Sequence, residues 1–163
     1  MRQRTGDHAA VRQAVESDIP ELVRLRATLF ENLGGEFFSP ASGDDDWLDA
    51  LAVVLKEQLT ADAVRILVVD GESGLAACGI GTIEQRLPGP HLRNGRIGQV
   101  IGVITDPEYR RLGHSRSVMR GLLGWFRESD VARVDLYASS EGEPLYRELG
   151  FTDHPDPSLY WHP

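Results

Sequence analysis

The chain has 163 residues, a length typical of one domain that buries roughly two thirds of the surface exposed in the unfolded state. Hydrophobic residues make up 41% and charged residues 26%, ordinary values for a globular protein, and no apolar run approaches the roughly 20 residues that span a bilayer. The formal net charge of -8 argues against general affinity for nucleic acid and favours a cationic second substrate, such as an amine.

The N-terminal residues predict neither a signal nor a structured element. The opening MRQRTGDHAA contains arginines without a following apolar segment, so residues 1–8 are predicted to be a disordered lead-in and the protein to be cytoplasmic. Cys78 is the single cysteine and lies in a small, apolar stretch, which excludes an internal disulfide and favours a buried, inert thiol.

The first third of the chain predicts a strand followed by two helices. Residues 10–15 form the strand, and Asp18 with Glu21 resembles a capping pair that begins a helix ending before the glycines at 34–35. A connector follows over residues 31–43. The second helix begins at the acidic residues 44–46, which are favourable at the positive end of a helix dipole.

The middle of the chain changes to the spacing of strands. Turn residues separate three strand candidates, which are VRILVVD, LAACGIGTIEQR and GRIGQVIGVITD. This order predicts an antiparallel meander. An amphipathic helix over residues 115–129, a strand over 133–138, a short helix over 143–149 and a final strand region from Phe151 to Trp161 complete the predicted elements.

The junction between the last strand of the meander and the next helix predicts an anion site. An apolar strand passes through a proline turn into a helix start that carries Gly113 and four arginines without an acid, in a chain that is acidic as a whole. The first turn of a helix has N–H groups without intrahelical partners, and glycine permits close approach of a ligand to the backbone. A phosphate-bearing cofactor is the predicted ligand.

These residues also resemble a known family. The run RRLGHS at 110–115 resembles the acyl-CoA signature of the GNAT superfamily of N-acyltransferases, with Ser115 in the place of the final small residue. The segment LYASSEGEPLYRELGF at 136–151 is similar to the later motif of that superfamily, and residues 11–22 to its opening strand and helix. The resemblance implies one GNAT domain over residues 1–163, of the α/β (α+β) class. Its single mixed, mostly antiparallel, splayed sheet would have about six to seven strands and about four flanking helices.

The resemblance further implies acetyl-CoA as co-substrate, with no metal. In this family the strand before the signature splays away from its neighbour, so that backbone groups of Gly102, Val103 and Ile104 would pair with the pantetheine arm. Amides from about residue 111 to 116 would cradle the pyrophosphate. The other cofactor-binding residues implied are Arg110, Arg111, Leu112, Gly113, His114, Ser115, Arg116 and, more weakly, Ser139.

Tyr146 corresponds to the tyrosine of the later motif, and the resemblance implies that it protonates the departing thiolate as general acid. The alternative is an aromatic side chain that only packs the short helix against the sheet. A backbone amide near Val103 would stabilise the oxyanion.

No general base is assigned. Positions at which relatives carry a glutamate correspond here to Gln99 and to Val134, with Asp135 beside the latter. Glu84 and His91 stay open as bases acting through water, as does a mechanism without a dedicated base.

The sequence leaves two functional interpretations open and excludes a third. The first is an N-acetyltransferase that acts on a small amine, an amino acid derivative or a peptide N-terminus, with no nucleic acid or membrane partner and possibly as a homodimer. Its acceptor pocket would come from residues 29–43, 87–95 and the C-terminal tail. The alternative is a non-catalytic acyl-CoA-binding sensor or partner module. A P-loop or Rossmann protein is excluded, because the glycine motif follows a meander and no Gly-Lys-Ser/Thr is present.

Overall fold

The computed structural model describes residues 10–33 and 46–163. The predicted lead-in at 1–8 and most of the connector at 31–43 therefore lie outside the described residues. The strands are β1 (Val11–Gln13), β2 (Val64–Gly71), β3 (Gly74–Gln85), β4 (Arg96–Thr105) and β5 (Arg133–Leu136), and the helices are α1 (Ile19–Leu33), α2 (Asp46–Gln58), α3 (His114–Glu128) and α4 (Glu143–Glu148). Short 3-10 turns at Glu16–Asp18 and Pro107–Tyr109 precede α1 and α3.

The strands form one mixed sheet in the order β1-β2-β3-β4-β5. The first three pairings are antiparallel, as the meander predicts, whereas β4 and β5 are parallel. Parallel neighbours need a crossover, and α3 provides it. The predicted fold class is confirmed, with five strands in the described chain rather than six to seven.

The final strand predicted from Phe151 to Trp161 is wrong, because the described chain after α4 contains no strand. Leu159, Tyr160 and Trp161 are 88%, 77% and 83% exposed. The prolines at 155 and 157 each lack an N–H donor and restrict the preceding residue, so they interrupt any strand ladder at this point. Aromatic composition alone did not reveal this interruption.

Each face of the sheet is covered by a separate apolar cluster. On one face α1 and α2 pack against inward side chains of the central strands, with Leu25 and Val68 fully buried. On the other face α3 contributes Val118, Leu122 and Phe126, which are also fully buried. The two clusters fix α1 and α3 on opposite sides of β4.

The predicted capping pair at the start of α1 is wrong in its contacts. The Asp18 carboxylate accepts hydrogen bonds from Arg12 at 2.8 Å and from the Val15 amide at 2.8 Å, so it caps the preceding 3-10 turn. The Glu21 carboxylate accepts from the Leu75 amide of β3 at 2.8 Å. Asp18 thus joins the end of β1 to the 3-10 turn, and Glu21 joins α1 to β3, which is distant in the sequence.

Among the helices of the described segments, none combines the length and the apolar character that crossing a membrane requires.

Candidate active site

A bulge in β4 creates the opening in the sheet. Ile101 pairs with Ile80 and Ile104 pairs with Cys78, so β4 has one more residue than β3 across this interval. Gly102 lies at the bulge with φ +66°, a left-handed conformation that glycine adopts without a steric penalty. The bulge increases the local twist and directs the remainder of β4 away from its earlier course.

The end of β4 lacks a neighbour on the side of β5. The parallel pairing covers only Ile97–Val100 against Arg133–Leu136, and the chain leaves the sheet after Leu136. A cavity of about 630 Å³, here called the β4 cleft, lies beside the unpaired end of β4. Its lining residues are Leu29, Val103, Ile104, Thr105, Arg110, Arg111, Gly113, His114, Ser115, Arg116, Ser139, Ser140, Glu141, Gly142, Leu145 and Tyr146.

Two side-chain contacts fix the loop between β4 and α3. Asp106 is buried, caps the proline turn by accepting from the Glu108 amide at 2.9 Å, and accepts from Arg24 of α1 at 2.6 Å. Burial alone would raise the pKa of Asp106, but the Glu108 amide and the Arg24 guanidinium together hold this pKa below its usual value. The hydroxyls of Thr105 and Ser115 share a 2.6 Å hydrogen bond, which ties the end of β4 to the start of α3.

The backbone of this loop presents N–H donors to the β4 cleft. Arg111 and Gly113 have φ +67° and +81°, and Gly113 is the N-cap of α3. Within the described chain, the N–H groups of residues 111–116 have no acceptor in the protein. Successive free N–H groups at a helix N-terminus make a concave anion site. The predicted donors are therefore uncapped and lie beside an open groove.

The cleft brings together nearly all the predicted cofactor-binding residues. It excludes Leu112, whose side chain is exposed, and Gly102, whose missing Cβ would lie on the α1 side of β4 beside Arg26. A Cβ added to Gly113 would meet no atom within 4 Å. Glycine at 113 is therefore favoured by its backbone conformation rather than by lack of space, and the space above it is open to a ligand.

The four arginines of the predicted anion site differ in their contacts. Arg116 forms an ion pair with Glu148 of α4, which engages its guanidinium. Arg110 and Arg111 line the cleft, are exposed, and have no ion-pair partner among the residues described. Arg120 is exposed and does not line the cleft, in agreement with its interpretation as a solvated side chain.

Tyr146 both packs and lines the cleft. Its ring is edge-on to Phe151 with centroids 6.1 Å apart, and burial raises the pKa of its hydroxyl. No residue in the described ranges forms a hydrogen bond with this hydroxyl, although the side chain faces the cleft. The packing interpretation and the catalytic interpretation are thus compatible: the ring is fixed, and a protonated oxygen is available.

Ser139 and His114 have surroundings that the sequence did not indicate. The Ser139 hydroxyl accepts from the Gly142 amide at 3.1 Å, so it orders the turn before α4 while lining the cleft. His114 is half-buried, its Nδ1 is buried without a hydrogen-bond partner, and desolvation lowers its pKa. This ring lies in the cleft rather than at an ordinary surface position.

The positions considered for a general base fall into two groups. Gln99 and Asp135 are register partners on β4 and β5, so their side chains share the α1 face of the sheet. Asp135 accepts from Arg133 at 2.9 Å, which makes it a half-buried carboxylate beside Gln99. Glu84 and His91 are exposed, near the other end of the β3–β4 pair.

The segments predicted for the acceptor pocket are only partly described. Leu29 of α1 lines the cleft, whereas residues 34–45 lie outside the described ranges. The loop at 87–95 leads into the first residue of β4 and is therefore at the opposite end of that strand from the bulge.

Arg26 on α1 was missed by the sequence analysis. Its guanidinium carbon lies 5.0 Å from the centroid of the Phe30 ring, and its Nη1 would be 2.9 Å from a Cβ added to Gly102. A signal existed: Leu22, Leu25 and Leu29 define the apolar stripe of α1, and Arg26 occupies the i+4 position within that stripe.

Comparison with known proteins gives consistent findings. A family model described as an acetyltransferase (GNAT) domain matches residues 10–153. The uncharacterized N-acetyltransferase ycf52 of Porphyra purpurea is 29% identical over 72 residues, or 43% of this chain and 41% of that protein. The match thus spans about two fifths of the length of this curated relative.

Two solved structures share the fold. A predicted acetyltransferase from Clostridium acetobutylicum, solved with acetyl-CoA, gives a TM-score of 0.81 at 21% identity and covers 93% of this chain and 94% of that chain. The glucosamine-6-phosphate N-acetyltransferase of Arabidopsis thaliana gives a TM-score of 0.70 at 21% identity and covers 93% and 97%.

Proposed function

Because the chain belongs to the GNAT family of acetyltransferases, we propose that it transfers the acetyl group of acetyl-CoA to a primary amine by direct attack in a ternary complex. The observation that carries this proposal is the row of uncapped N–H groups at 111–116, beside the unpaired end of β4. A diphosphate fits the row of free N–H groups, and an extended arm that carries amides fits the unpaired strand end.

The described residues support each step of the proposed acyl transfer. In the reaction the amine nitrogen forms a bond to the acetyl carbon of the thioester, the carbon–sulfur bond breaks, and the nitrogen loses a proton to water. The Tyr146 hydroxyl donates a proton to the sulfur and is then reprotonated from solvent. Its raised pKa keeps this hydroxyl protonated beyond the ordinary tyrosine range near pH 10, so the acid form is present at neutral pH.

The unpaired backbone at the bulge completes the proposed machinery. Gly102 and Val103 have no register partner on β3, and an amide here is available to stabilise negative charge on the acetyl oxygen. We assign no general base to a single residue. Water accepts the amine proton when the acceptor amine has a low pKa. Gln99 occupies the predicted base position, and the half-buried carboxylate nearest to it in register on the α1 face is that of Asp135.

The acceptor class is proposed as an amine of small size. The acidic chain favours a cationic substrate, and one structural neighbour is named for an amino sugar phosphate. The cytoplasmic location, the homodimer and the single domain over residues 1–163 stay predictions.

The test follows free thiol while the protein is incubated with acetyl-CoA and a panel of amines, amino acids and short peptides. Acceptor-dependent thiol release with acetylated product identified by mass supports the proposal. The non-catalytic alternative is distinguished by calorimetry, because it predicts coenzyme A binding without turnover on any acceptor. No binding at all would contradict both interpretations.

A further inference from the structure

Arg26 holds an unusual position for a charged side chain. It projects from the stripe of α1 that faces the sheet, is half-buried, and lies over the β4 bulge, where its Nη1 would be 2.9 Å from a Cβ added to Gly102. The Phe30 ring, one turn later on the same helix, contacts the guanidinium at 5.0 Å and fixes its orientation. The guanidinium is thus held at the point where the sheet opens.

The charge of Arg26 has no acidic partner among the described residues. Its neighbour Arg24 pairs with Glu21 and Asp106, and Arg12 pairs with Asp18 and Asp70. Arg26 forms no such ion pair or hydrogen bond with any residue of the described ranges. A partly desolvated charge without an acidic partner is costly, and a bound anion beside Arg26 would offset that cost.

The location relates this charge to the β4 cleft. Leu29, three residues after Arg26 on α1, lines the cleft, and so does Val103, the residue after Gly102. Arg26 and Gly102 do not themselves line the cleft, so Arg26 lies between α1 and β4, next to residues that line the space in which the thioester is proposed to lie. The pyrophosphate donors at 111–116 follow β4 on the chain, so the anion of the cofactor is already provided for elsewhere.

We propose that Arg26 binds an oxyanion of the acceptor substrate, a carboxylate or a phosphate, and so selects amines that carry a negative group near the nitrogen. The inference rests on the proposed acetyl transfer and adds the substrate class. A guanidinium offers five donors in a planar fork that matches both oxyanions, and it stays charged even where burial disfavours the ion. The stacked face against Phe30 leaves the donor edge available to the ligand.

The test compares matched acceptors that differ only in the negative group. The first arm pairs α-amino acids with their primary amides, and the second pairs O-phosphoethanolamine with ethanolamine. For each pair the ratio of kcat/KM, charged over neutral, is measured for the wild type and for Arg26→Gln. We expect Arg26→Gln to lower this ratio by about 10- to 100-fold in the arm that contains the preferred oxyanion. Arg26→Lys should retain part of the preference, because it keeps the charge but not the fork.

Arg127→Gln is the matched control, since it removes an exposed arginine from the far end of α3 and should leave the ratio unchanged. An unchanged ratio in Arg26→Gln, or an equal loss for charged and neutral acceptors, would overturn the inference. Far-UV circular dichroism confirms that each variant is folded.

A binding arm separates this inference from the proposed function. Protein saturated with coenzyme A is titrated calorimetrically with N-acetyl amino acids and their amides, and with the N-acetyl forms of O-phosphoethanolamine and ethanolamine. Selective binding of the charged member that Arg26→Gln abolishes supports the inference even if no acceptor is turned over. Turnover without charge selectivity leaves the acetyltransferase proposal intact and refutes the role of Arg26.

Discussion

The two sides of the β4 bulge are proposed to recognise their ligands by different means. On the α3 side the donors are backbone N–H groups of residues 111–116, held by the loop conformation. On the α1 side the donor is the side chain of Arg26, held by one aromatic ring. Recognition by the backbone tolerates a change of side chain, such as Ser115 at the last motif position. The proposed recognition on the α1 side instead depends on the identity of Arg26.

The largest effect is expected at Tyr146, which lines the β4 cleft. Removing its hydroxyl in Tyr146→Phe should lower kcat by about 10²- to 10³-fold, because proton donation to the thiolate is lost. The calorimetric Kd for coenzyme A should stay within about twofold, since the ring packing on Phe151 is retained. Tyr137→Phe makes the same chemical change at an 80% exposed tyrosine and should have no effect. Equal rates for both variants would leave Tyr146 with a packing role only.

A substitution at Gly113 tests whether the α3 side recognises by backbone. Gly113→Asp should raise the Kd for coenzyme A by about 10- to 100-fold, because a carboxylate would face the proposed diphosphate site. Gly113→Asn is the matched control: it has the same size, tolerates φ +81° comparably, and is uncharged. The difference between the Kd values of the Asp and Asn variants measures the effect of the negative charge alone. If the two variants bind equally well, the anion site lies elsewhere.

A substitution at Asp106 tests how much its contact with Arg24 of α1 contributes to stability. Asp106→Asn should lower the free energy of unfolding at pH 7 by about 1–3 kcal/mol, because Arg24 loses a charged acceptor next to a buried site. The folded-state pKa of Asp106 is below its unfolded value, so this stability is present above pH of about 4 and is lost as the pH falls through the folded pKa.

Urea unfolding at pH 7 and at successively lower pH measures the effect of Asp106→Asn. The gap between wild type and variant should narrow below pH of about 4. Asp62→Asn, at an exposed residue, serves as the reference and should leave stability unchanged. A gap that is constant with pH would show that the charge of Asp106 is not the cause.

The smallest expected effect is on the Kd for coenzyme A, and it distinguishes the unpaired Arg110 from the ion-paired Arg116. Arg110→Gln should raise the Kd for coenzyme A by about 3- to 10-fold at low salt and less at high salt, since Arg110 is exposed and unpaired among the described residues. Arg116→Gln should change this Kd by less than about twofold, because its guanidinium is engaged by Glu148. A larger increase of the Kd in Arg116→Gln than in Arg110→Gln would mean that the ion pair with Glu148 opens when the ligand binds.

Most of the fold was predictable because its signals are local. The meander, the amphipathic α3 and the glycine after α4 each follow from residues within one short window, and the structure has all three. The predicted strand after Phe151 failed because strand formation needs a partner and free N–H donors. The prolines at 155 and 157 remove donors, a feature that aromatic composition conceals.

By itself, the sequence determined the α3 side of the site. On this side the strand, the proline turn, the glycine and the helix start are contiguous. Their backbone geometry follows from neighbouring residues, so the motif at 110–115 is enough to predict it. Only the tertiary structure decided the α1 side. Arg26 and Gly102 are distant in the sequence, as are Gln99 and Asp135, and no local pattern states that they lie together. Packing across the sheet brings them into contact, and a side chain's role depends on what that packing places beside it.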